Sequence, residues 1–197
     1  MPRCYGKRST IIYMHSLVEI SKVIPDVQLD LRYGTTNNIT GRVLYPEARA
    51  FLVPDAVEAL RKVHKDLGRR GLGIRVFDAY RPLSVTRALY NATPESQKGY
   101  VANPEEGSTH NRAVAPDQTL FNLATGQPLK MPTDFDDFSE HAWHDFNEPD
   151  EERRDNRDLL IDTMDKHGFI VHKLEWWHFD WHEWDQYPVL DTPIEEL

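Results

Sequence analysis

Pro54-Asp-Ala-Val-Glu-Ala-Leu-Arg-Lys-Val-His-Lys-Asp-Leu-Gly-Arg-Arg70, followed by Gly71 and Leu72-Gly-Ile-Arg-Val-Phe77, decides the fold class. Val57, Leu60, Val63, His64 and Leu67 fall on one helical face. Pro54 and Asp55 suit the first turn, where a backbone donor is dispensable. Gly71 suits the stop. The residues after it read as a strand that runs into Asp78-Ala-Tyr-Arg-Pro82, and Pro82 opens a second helix over about Leu83 to Ala92.

Upstream, Val27-Gln-Leu-Asp-Leu-Arg-Tyr33 alternates apolar and polar residues, the mark of a half-exposed strand. Gly34 to Gly41 is a polar loop. Downstream, Gly99 to Ala113 reads as loop. Val114 to Leu123 reads as a strand interrupted by Pro116, with Ala124-Thr-Gly126 as a hairpin turn. Residues 131 to 152 are acidic, aromatic and irregular. Asp155 to His167 forms an amphipathic helix with Leu159, Leu160, Thr163 and Met164 inward, stopped by Gly168. Phe169 to Trp184 alternates as one or two strands. This order implies an α+β protein: a small, mostly antiparallel sheet with packed helices.

A chain of 197 residues suits a single domain over 1–197. Its hydrophobic fraction of 40% fits a globular core. The 23 basic residues against 32 acidic ones give −9, which argues against nucleic acid and anionic membrane surfaces as partners. Cys4 is the only cysteine, so a metal site must draw on His, Asp and Glu. The apolar run Ile11 to Met14 is too short for a signal-peptide core. Nor does any apolar stretch approach the ~18 residues of a membrane span. A cytoplasmic location is expected, with the periplasm left open.

Two segments carry the chemistry. Ser108-Thr109-His110 with Asp117, and Glu175-Trp176-Trp177-His178, together supply two imidazoles, a carboxylate and one further carboxylate. A catalytic zinc site needs three protein ligands, an open position and a base beside it. His110 should sit in a loop, Asp117 on the strand after it, and His178 on another strand. Glu175 and His178 can face one metal only if their strand bends or ends there, because residues three apart on a regular strand point to opposite faces. Arg81, at a strand end before Pro82, could hold an oxyanion. His178, Asp180 and His182 offer a weaker second cluster. Glu140-His141-Ala-Trp-His144 reverses the helical zinc-protease order and is rejected.

These residues give the chain its resemblance to the D-alanyl-D-alanine dipeptidases of the D-Ala-D-Ala metallopeptidase and hedgehog-like superfamily. Ser108-Thr-His110-Asn-Arg-Ala113-Val-Ala115-Pro-Asp117 is similar to the family's Ser-x-His-x-x-Gly-x-Ala-x-Asp, and Glu175-Trp-Trp177-His178 to its Glu-x-Trp-His. Asp78 to Pro82, Tyr33-Gly-Thr35-Thr-Asn37-Asn38-Ile-Thr40-Gly41, and Met131 with Phe135-Asp136 also fit, within a motif-bearing core of about 29–185. The resemblance implies a hedgehog- or DD-peptidase-like fold holding one Zn2+ on His110, Asp117 and His178. Glu175 would be general base and acid, and Arg81 the oxyanion partner. Tyr45, Asp136 and Ser108 would bind the substrate ammonium. The implied reaction is hydrolysis of D-Ala-D-Ala in peptidoglycan metabolism or glycopeptide resistance. A catalytically weakened or non-catalytic zinc-binding relative, and a carboxypeptidase acting on longer cell-wall peptides, are the alternatives; self-association stays open. Three positions depart from the pattern: Ala113 for glycine, Pro116 before the ligand Asp117, and Gln118 where the family is apolar.

Overall fold

The computed structural model describes residues 17–197. The expectations on Ile11 to Met14 and on Cys4 lie outside the described residues.

The expected helix–strand unit is present. Helix α2 (Pro54–Gly68), which follows the short α1 (Ile20–Val23), starts with Pro54 in its first turn and buries Val57, Leu60, Val63 and Leu67. Gly71 makes the turn from helix to strand at φ 73°, a left-handed conformation that glycine adopts without steric cost. Strand β4 (Leu72–Asp78) follows, then α3 (Leu83–Ala92). A two-stranded sheet pairs β1 (Val18–Glu19) with β3 (Phe51–Leu52). The main sheet adds β2 (Gln28–Leu29), β5 (Asp117–Asn122), β6 (Phe169–His172) and β7 (Glu175–Trp181) in the order β2-β4-β5-β7-β6. Among the described residues only the β2–β4 pair is parallel. Helix α4 (Glu151–Lys166) packs on β5, β6 and β7 and against α2. The protein is α+β, as the element order implied.

Two elements differ from expectation. The strand over Val27 to Tyr33 shrinks to β2, and Arg32–Gly34 forms a 3-10 turn. Leu31 and Tyr33 are both buried, and the Tyr33 carbonyl accepts from the amides of Leu44 and Tyr45, so the chain turns inward instead of following β4. Helix α4 begins before Asp155, because Asp150 caps it by accepting from the Arg153 amide at 3.2 Å. That first turn has no apolar residue, so periodicity could not reveal it.

The three departures have structural answers. Ala113 is wholly buried at φ 56°, ψ 37°, the left-handed region that favours glycine. Pro116 precedes the first residue of β5, so its missing donor falls outside the ladder, while its carbonyl accepts from the Phe179 amide at 3.3 Å. Gln118 is buried against α4: its Nε2 meets Met164 Sδ at 2.7 Å and its Oε1 has no partner. An unpaired buried amide oxygen costs about 1–3 kcal/mol. Gln118→Met is therefore expected to stabilise the protein by about 1 kcal/mol and raise the melting temperature by about 2–4 °C. A thermal melt checks this, and a lower melting temperature would contradict it.

Candidate active site

The candidate site is a row across the sheet. Asp78, Asp117 and His178 are neighbours in register on β4, β5 and β7. A bulge brings Asp78 opposite Asp117, with Phe77 as the extra residue between the paired positions. Because Gln118 reaches α4, alternation points Asp117 to the other face, into a cavity of about 490 Å³. That volume lies within the usual range for small-molecule sites.

The spacing of Glu175 and His178 is resolved by a second bulge. Phe179 pairs with Val171 and Glu175 with His172, so Trp176, Trp177 and His178 have no partner on β6. Phe179 to Trp181 pair with β6 on one edge while the amides of Phe179 and Trp181 donate to Pro116 and Val114 on the other, so only the three residues before them bulge out of the β6 ladder. Trp176 and Trp177 anchor the bend, wholly buried with their rings edge to face at 5.4 Å. The bend brings Glu175 Oε2 to 4.0 Å from His178 Nδ1.

His110, Asp117 and His178 form a cluster of buried groups that could hold a metal ion. His110 Nε2 lies 3.1 Å from His178 Nδ1 and 3.2 Å from Asp117 Oδ2, and His178 Nδ1 lies 2.9 Å from Asp117 Oδ1. The outer nitrogen of each imidazole is engaged elsewhere. His110 Nδ1 donates to the Ala79 carbonyl at 2.7 Å, and His178 Nε2 to Asp180 Oδ1 at 2.9 Å. Those bonds select the tautomers that leave two lone pairs and a carboxylate converging on one point. Donors bound to one tetrahedral ion at about 2.0–2.1 Å would stand ~3.3 Å apart. The donor set and its spacing therefore fit zinc. Burial lowers the pKa of His178, but its bonds to Asp117 and Asp180 outweigh that and raise it. Asp117 shows the opposite balance: burial raises its pKa, and the two imidazoles bring it well below the carboxylate range.

Around this cluster stand groups of two kinds. Arg81 is buried and fixed: its Nε donates to Asp78 at 2.8 Å, and its guanidinium stands 4.9 Å from the Tyr33 ring. Burial pushes the Glu175 carboxyl up to about 8 and the Asp136 carboxyl up to about 7. The positive charge of a bound dication would act against both shifts. Asp136 itself takes φ 59°, an unusual value for a residue with a side chain, and accepts from the Tyr33 hydroxyl at 3.1 Å.

Glu175, Arg81, Ser108, Asp136, His110, Asp117 and His178 all line the cavity. Tyr45 does not. It lies buried in the core with its hydroxyl donating to Asp78 Oδ1 at 3.0 Å, and Tyr33 stands in the wall instead. His182 turns away to the Gly168 carbonyl, so the second cluster is not assembled. Asn111, an unremarked position inside the motif, is wholly buried. Its Nδ2 donates to the Arg81 carbonyl and to Thr86, and its Oδ1 accepts from the Ser108 amide and hydroxyl. It ties the two halves of the site together.

A triad able to hold a metal, with a carboxylate and a guanidinium in one cavity, is the equipment of a metal-dependent hydrolase. The family model of the peptidase M15 D-Ala-D-Ala dipeptidases matches residues 14–194, and the chain belongs to that family. It is 38% identical over 176 residues to the D-alanyl-D-alanine dipeptidase of Escherichia coli K12, covering 88% of this chain and 89% of that one. It is 29% identical to the D-alanyl-D-alanine dipeptidase of Enterococcus faecium, covering 89% of this chain and 96% of that one. The solved LdcB LD-carboxypeptidase, whose structure is described as revealing peptidoglycan recognition, aligns with a TM-score of 0.49 and 16% identity, over 92% of this chain and 78% of that one. Among the described residues no helix is long and apolar enough to cross a membrane.

Proposed function

We propose that the protein is a zinc dipeptidase that hydrolyses D-Ala-D-Ala. One observation carries the reading: three buried donors converge within 3.2 Å of one another, each imidazole oriented by a second partner. Names carried by relatives across most of their length supply the substrate class.

His110 Nε2, His178 Nδ1 and Asp117 would hold the zinc. When bound, it supplies Lewis acidity and lowers the pKa of water towards ~7. Glu175 takes the proton from the attacking water and later delivers it to the leaving amine. Its place on the bend holds it beside the triad without making it a ligand. Arg81, pinned by Asp78, presents its guanidinium to the oxyanion that develops on the scissile carbonyl. Asp136 and the Tyr33 hydroxyl receive the free ammonium. Ser108 forms the neighbouring wall, its hydroxyl 3.1 Å from Asn111 Oδ1. Asp180 keeps His178 in its tautomer.

A carboxylate reserved for a free ammonium limits the substrate to an unblocked N-terminus. D-Ala-D-Ala is expected to be cleaved at least ~100-fold faster than its N-acetyl derivative or an N-terminally extended tripeptide, since a buried carboxylate facing an uncharged group is strongly disfavoured. Steady-state kinetics on the three substrates tests this. Equal or faster cleavage of the tripeptide would contradict it and favour the carboxypeptidase alternative.

A further inference from the structure

The cavity wall contains two guanidinium groups, those of Arg81 and Arg112. That of Arg81 is matched by carboxylates, Asp78 at 2.8 Å and Asp117 at 3.8 Å. Arg112 has no ion pair among the described residues. It is nevertheless fixed. Arg112 closes the 3-10 turn His110–Arg112 that carries a metal-cluster imidazole. Its Nη1 donates to the Tyr187 carbonyl, and its guanidinium lies 5.7 Å from the Trp184 ring. Trp184 lines the same cavity. The segment after β7 thus holds a half-buried cation in place and leaves its charge unmatched.

A dipeptide zwitterion brings two charges. Asp136, bonded to Tyr33, suits the ammonium. The carboxylate also loses water on entering and needs a cation. Arg81, already paired with Asp78 and Asp117, is taken up by the oxyanion of the scissile carbonyl, and Glu106 and Asp180 in the wall repel an anion. Arg112 remains, with guanidinium donors beyond the one given to Tyr187 and a planar fork that matches a carboxylate. We infer that Arg112 binds the C-terminal carboxylate of the dipeptide and is a specificity-determining residue. The inference rests on the dipeptidase reading. It adds that the site measures its substrate from both ends: a carboxylate for the free amine and an arginine for the free acid.

The test compares D-Ala-D-Ala with its C-terminal amide, which keeps the ammonium and loses the negative charge. The zinc-loaded parent is expected to favour the acid by about 10–100-fold in kcat/KM, mostly through KM. Arg112→Gln should bring that ratio to within about threefold of unity, and Arg112→Lys should keep part of it, having the charge without the fork. The ratio is the readout because a merely structural role lowers both rates in parallel and leaves it standing. A preserved ratio in Arg112→Gln overturns the inference alone, as does a parent without preference. A parent that cleaves neither substrate overturns the dipeptidase reading and the inference with it.

Discussion

Glu175→Ala lowers kcat by about 10²–10⁴-fold and leaves the metal bound. The expectation follows from where the bend in β7 puts this carboxylate. Glu175 stands in the cavity wall 4.0 Å from His178 Nδ1, while the metal cluster comprises His110, Asp117 and His178 without it. Removing it takes away the proton acceptor and no donor atom of the cluster. Metal content and melting temperature should therefore stay near the parent values while turnover collapses. Glu175→Gln should behave alike, because it keeps the shape and loses the basicity. Parent-level turnover by either metal-loaded variant would show that another group moves the proton.

Arg81→Ala combines a loss of rate with a loss of stability. The guanidinium is buried between Asp78 and Asp117, which are themselves buried and opposite each other in register. Without it two carboxylates face each other in a low-dielectric interior. Breaking a buried pair in this way costs about 3–5 kcal/mol. For a chain of this size that is a fall in melting temperature of roughly 6–20 °C. Metal loading should reduce the fall, since a dication at the triad offsets the Asp117 charge. Turnover should drop by about 10²–10³-fold from the lost oxyanion partner. Thermal melts with and without metal, set beside kcat, separate the two effects. A variant as stable and as fast as the parent would contradict both roles.

What sequence reading captured was local. Helix α2, strand β4 and helix α3 were legible because periodicity and proline or glycine punctuation act over a few residues. Strand β5 starts later than the expected Val114: Pro116 cannot donate, and the ladder begins just after it at Asp117. The cluster itself was legible because its residue types and spacing are restrictive. The bend that brings Glu175 to His178 is visible in the sequence only as a requirement, since it is set by a bulge of three β7 residues out of the ladder with β6. The choice between Tyr33 and Tyr45 depends on a 3-10 turn that directs Tyr33 towards Asp136 and leaves Tyr45 on Asp78. The partners that orient the ligands were hidden for a similar reason. Asp180 lies two residues from His178 and Asp78 three from Arg81, but Asn111 and the Ala79 carbonyl reach their partners across the fold.

The most direct test of the central claim is D-alanine release from D-Ala-D-Ala by the purified protein, measured after chelation and again after stoichiometric zinc. L-Ala-L-Ala serves as the stereochemical control. The chelated protein should release none, about one zinc per chain should restore release, and the D,D dipeptide should be markedly preferred. Undiminished release after complete metal removal, or none from the fully zinc-loaded, folded protein, would contradict it.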